Sequence, residues 1–236
     1  MRGLRNPAAG LLGAFVYLAN FAVPNLRLVG LVDAGEGFFL LTLLWSLAEG
    51  RLWLLPWIAI LGTLTKETFL PFSIVFGAVW WLMVWRGEVV LRQSGPQTKT
   101  IGMNRIGIWI LISWVANLVA FAGLHLAIEG RLTNPLTFAL TLQGHGSSAN
   151  GYFAHFVRSL MDRQLWFIFL WLLPTAIPSL KKFPRAWLVA TGATCVVAFA
   201  LDAFYGGAPG TVGRALFTIA GPVLSLSSAM LLSGFF

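Results

Sequence analysis

The chain has 236 residues, of which 58% are hydrophobic and 10% charged, with a mean hydropathy of +0.80 and a formal net charge of +8. A soluble domain carries about 25% charged residues, so most side chains here face something other than water, and a bilayer is the expected solvent. The positive charge does not point to nucleic acid, because the basic residues sit between apolar runs, where they orient helices and meet anionic lipid.

A spanning helix needs about 20 mostly apolar residues. In chain order the apolar runs predict an all-α, polytopic transmembrane bundle of about eight helices in a single domain: 8–24, 29–48, 52–65, 68–85, 106–128, 165–180, 186–205 and 214–236. The first run lacks the pattern of a cleaved signal peptide and is read as retained. A polar loop over 86–105 carries the Gly95-Pro96 breaker, and the longest non-spanning stretch is 129–164. With the N-terminus inside, ten of the sixteen basic residues fall inside, among them Lys181, Lys182, Arg185 and those of the 86–105 loop. The positive-inside rule then places both termini in the cytoplasm and the 129–164 loop outside.

Cys195 is the single cysteine, so no disulfide framework and no cysteine zinc site can be built. His145 and His155 lie in the outer loop without tight metal-ligand spacing, and no metal or other cofactor is expected. His125, late in the fifth helix, reads as a packed residue. There is no phosphate-binding loop, dinucleotide fingerprint or nucleophile elbow.

Asp33, Glu36, Lys66, Glu67 and Arg214 all fall at outer helix ends, next to or within apolar sequence. Lys66-Glu67 tips the hairpin between the third and fourth helices. The third helix, about 14 residues long, rises roughly 21 Å, less than the roughly 30 Å hydrocarbon core. Charges at that depth are costly unless paired or hydrated. A charged, water-filled cavity opening outward, with Lys66 near Asp33, Glu36 or Glu67, is one reading. The plain alternative is a solvated turn, with Asp33 and Glu36 favouring the positive end of a helix dipole. Asp202, near the outer end of the seventh helix, is a further polar candidate.

The stretch Leu61-Gly62-Thr63-Leu64-Thr65-Lys66-Glu67-Thr68-Phe69-Leu70 resembles a segment of the polytopic GT-C superfamily glycosyltransferases, in which an apolar helix ends in a Thr-(Lys/Arg)-Glu-Thr-like turn. Asp33, in Gly30-Leu31-Val32-Asp33-Ala34, resembles the acidic residue that opens an earlier helix. Gly213-Arg214-Ala215-Leu216-Phe217, followed by Ala220-Gly221-Pro222, resembles the start of a last core helix. The resemblance covers residue 8 to the C-terminus.

It implies sugar transfer from a polyprenyl-phosphate carrier at the outer face of a bacterial plasma membrane. Lys66 and Arg214 would bind the lipid phosphate, Glu67 would support Lys66, and Asp33 or Glu36 would be the catalytic candidates. The family's N-terminal helices and acidic catalytic loop have no counterpart ahead of this region. The expectation is therefore a truncated, split or degenerate enzyme whose base comes from another segment. The competing readings are a non-catalytic accessory subunit packed against a partner membrane subunit, and a transporter or channel. The last is weakened by the lack of a repeat or of a chain of mid-membrane charges.

Overall fold

The computed structural model describes residues 7–22, 30–88, 102–132, 154, 157, 160–161, 163–205 and 211–233. These residues form eight α-helices and no strand: α1 (Pro7–Ala22), α2 (Gly30–Glu49), α3 (Leu55–Thr65), α4 (Phe69–Trp85), α5 (Met103–Glu129), α6 (Arg163–Leu180), α7 (Arg185–Tyr205) and α8 (Thr211–Leu232). A single 3-10 turn, Leu52–Leu54, precedes α3. His145, His155 and the side chain of Asp202 lie outside the described residues, as does most of the two long loops.

The third apolar run divides because Pro56 sits in the first turn of α3, where its missing N–H costs nothing. Three helices stop at glycines in the left-handed conformation that side chains disfavour: Gly50 (φ 68°) after α2, Gly87 (φ 72°) after α4 and Gly130 (φ 69°) after α5. Two helices, Met103–Glu129 and Val212–Leu232, are long and apolar enough to cross a membrane by length and composition.

The chain divides into two compact units, residues 1–37 with 148–236, and residues 38–147. In the first, α8 packs against α1, α6 and α7. Its core is Ile168, Phe169, Leu172 and Ala176 of α6 against Val212, Leu216, Phe217 and Leu224 of α8. An added Cβ at Gly13 of α1 would lie 3.1 Å from the Leu226 Cα, so the two helix backbones approach closely at a small residue. Serines of α8 bond the backbone of α6: Ser227 donates to the Ala176 carbonyl at 2.7 Å, while Ser228 lies 2.9 Å from the Thr175 hydroxyl.

In the second unit, Leu40, Leu43, Leu44 and Leu47 form one buried stripe of α2, at the three- and four-residue spacing of a helix face. The buried stripe of α5 is Ile106, Gly107, Ile110, Ser113, Asn117, Phe121 and His125. A polar chain links three helices through it. Thr63 of α3 donates to the Asn117 side-chain oxygen, Asn117 donates to Ser73 of α4 at 2.5 Å, and Ser73 donates to the Leu70 carbonyl at 2.9 Å. Thr63, Asn117 and Ser73 thus partner one another, which removes a desolvation cost of about 1–3 kcal/mol per group.

Candidate functional site

The five charged residues singled out in the sequence divide between the units. Asp33, Glu36 and Arg214 belong to the first, Lys66 and Glu67 to the second.

In the first unit, Asp33 stands in the first turn of α2 and Arg214 in the first turn of α8. The Arg214 Nε–H and Nη2–H both donate to the Asp33 Oδ2, at 3.1 and 2.5 Å. Asp33 is 2% exposed, whereas the Arg214 side chain is 38% exposed. A carboxylate that far from water is retained because the guanidinium neutralises it and supplies two charge-assisted hydrogen bonds. The arrangement fixes the guanidinium plane, and the Arg214 side chain stays partly exposed. Glu36, one turn further along α2, is completely buried.

Tyr17 of α1 completes this cluster, and sequence reasoning missed it. Its ring stacks on Phe217 with centroids 5.2 Å apart. Its hydroxyl occupies the space a Gly37 side chain would need, 2.6 Å from an ideal Cβ there. The available signal was Gly37 itself, a glycine inside a helix next to two acidic residues, which marks close approach by another group.

In the second unit, Lys66 ends α3 in an extended conformation, and its N–H donates to the Gly62 carbonyl at 3.0 Å. Glu67 follows in the turn. Its Oε1 lies 3.4 Å from the His125 Nε2, and the other ring nitrogen lies 3.0 Å from Glu129 Oε1. Arg131 donates to the second Glu129 oxygen at 3.2 Å. His125 is 3% exposed and packs on Phe121. Sequence reading placed it among packed residues. It is packed, and it also stands between two carboxylates. Glu129 at i+4 was the legible half of this contact.

These clusters are suited to binding charge. The first offers a preorganised cation with a partly open face, and the second a carboxylate on a surface turn backed by an imidazole. Among the described residues no group of three His, Cys, Asp or Glu is arranged to hold a metal ion. No protein-family model, curated protein or solved structure matches the chain.

Proposed function

We propose that the chain is an integral membrane helix bundle that forms the carrier-binding part of a polyprenyl-phosphate-sugar transferase, in a bacterial plasma membrane with both termini cytoplasmic. The membrane part of this reading is supported by the surface. On α5, Ile108, Leu111, Ile112, Val115, Leu118 and Val119 are exposed, and only 33% of its most apolar stretch is buried. Apolar patches of that extent are rare on soluble monomers. Exposed Trp45, Trp53, Trp57, Trp81 and Trp85 have the amphipathic rings favoured at membrane–water boundaries.

The observation that carries the functional part is Arg214, held in place by Asp33 while its side chain stays partly exposed. A fixed cation beside developing negative charge is what departure of a lipid phosphate requires. In this reading Arg214 binds the phosphate. The second reading, a non-catalytic accessory subunit, draws on the burial of Glu36 and the engagement of Asp33 with Arg214, which keep both catalytic candidates from an acceptor hydroxyl.

Transfer of a radiolabelled sugar from its lipid phosphate separates the two, measured on membranes in which a segment carrying an acidic loop is co-expressed. Arg214→Ala is expected to lower the rate by about 100-fold or more, and Glu88→Ala to leave it unchanged. Wild-type rates in Arg214→Ala would remove the phosphate assignment. Transfer by the chain alone would return Asp33 and Glu36 as bases.

A further inference from the structure

The turn between α6 and α7 presents Lys181, Lys182 and Arg185, all exposed. None has an ion-pair partner among the described residues, and the sequence holds no Asp or Glu between Asp162 and Asp202. This sets the turn apart from Arg214 and Arg131, each of which has a carboxylate. The turn is closed by backbone bonds from Lys182 N–H to the Ser179 carbonyl and from Phe183 N–H to the Leu180 carbonyl, both 3.0 Å. Buried Phe183 and Trp187 anchor it, with ring centroids 5.9 Å apart. Three cations are thus held on a fixed scaffold with no anion of their own.

Directly behind them begins an apolar groove of about 420 Å³ between α6, α7 and α8. Leu180 and Leu188, which flank the charged turn, line one end, and Trp166, Phe199 and Leu216 line the other. Along α6 from residue 180 to 166 the groove extends for roughly 20 Å at 1.5 Å per residue. Thr191 lines it near the charged end. Its hydroxyl is buried without a hydrogen-bond partner, in a residue only 7% exposed. A buried hydroxyl in that state lacks an acceptor, and none is provided among the described residues. Thr191 lies six residues beyond Arg185, roughly 9 Å along the helix, about the depth of an ester carbonyl beneath a lipid phosphate.

We propose that this groove binds an anionic glycerophospholipid. Its phosphate sits on Lys181, Lys182 and Arg185, an ester carbonyl accepts from the Thr191 hydroxyl, and one acyl chain lies between α6, α7 and α8. The site is separate from Arg214 and does not depend on sugar transfer. It requires only that the protein meets lipid.

Gly192 gives a clean way to close the groove. It lines the cavity, and a Cβ there would meet nothing within 4 Å. Leucine also favours a helix more than glycine does, so Gly192→Leu should fill the groove without threatening the fold. The full-length protein, purified in detergent, is incubated with phosphatidylglycerol or phosphatidylcholine of identical chains, and retained lipid is counted by native mass spectrometry. The wild type is expected to retain phosphatidylglycerol at least tenfold better. The triple variant Lys181→Gln, Lys182→Gln, Arg185→Gln should lose that preference, Thr191→Val should weaken both lipids alike, and Gly192→Leu should abolish retention of both. Excess inorganic phosphate should not displace the lipid. Equal retention of the two lipids by the wild type, displacement by phosphate, or wild-type retention in Gly192→Leu would each overturn the proposal. Since no readout involves sugar, loss of this site and loss of the transferase reading are told apart.

Discussion

Asp33 and Arg214 illustrate what a single ion pair does when one partner is shielded and the other is not. Asp33 is buried, so removing Arg214 takes two charge-assisted hydrogen bonds from a shielded carboxylate, while removing Asp33 leaves a guanidinium that still reaches solvent. Arg214→Met is therefore expected to destabilise the protein by roughly 3 kcal/mol, and Asp33→Asn by less. The Asp33→Asn, Arg214→Met double variant should be more stable than Arg214→Met alone. Thermal unfolding in detergent, run as a double-mutant cycle, measures this, and strictly additive costs would show that the two do not interact. Both residues were legible one at a time, as charges beside apolar sequence. Their pairing was not, because nothing local records a contact 181 residues apart. Glu67 and His125 were hidden for the same reason.

Helices were legible nearly to their ends, because each apolar run stops at a glycine, proline or charge that has a physical reason to stop it. The 3-10 turn before α3 and the first turn of α5, which begins three residues earlier than its apolar run, were less so. Polar residues such as Asn104 and Arg105 extend a helix without contributing to its apolar signal. What sequence could not distinguish is which helical glycines are required by packing. Gly62 of α3 is: a Cβ there would lie 2.5 Å from the Phe69 ring. Gly10 of α1 and Gly123 of α5 face open space. Gly62→Ala is expected to cost about 1–3 kcal/mol by overpacking, while Gly10→Ala and Gly123→Ala should gain about 0.5–1 kcal/mol from helix propensity. Melting temperatures of the three variants test this, with opposite signs expected. A loss at Gly123 matching that at Gly62 would mean that α5 is covered on its apolar face.

For the whole molecule, the all-helical architecture followed from composition and run length, whereas its division into two units did not. The boundary falls between Gly37 and Phe38, inside α2, where the sequence has no linker or change of composition. The first unit is also discontinuous, since α1 packs on α8. Membrane orientation rests on the distribution of basic residues. In a Cys195→Ala background, Ser148→Cys is expected to react with an impermeant maleimide on intact cells, and Lys182→Cys only after lysis. The reverse pattern would invert the topology, and labelling of both on intact cells would place the two segments on the same side.

The discontinuity of the first unit has a consequence in time. Arg214 leaves the ribosome 181 residues after Asp33, a wait of roughly 10–40 s at about 5–20 residues per second. During that wait α1 and α2 exist without α8. The composition of α1 suits the delay: Leu11, Phe15 and Leu18 remain exposed even in the finished fold, and Asn20 satisfies its amide within its own helix, on the Val16 carbonyl at 2.6 Å. Asp33 takes two hydrogen bonds from Arg214, which is made much later. Standing in the first turn of its helix, it can wait near the hydrated boundary of the bilayer rather than in the hydrocarbon. Arrival of α8 is then the event that allows Asp33 to become buried, so a helix made late completes the setting of a residue made 181 positions earlier.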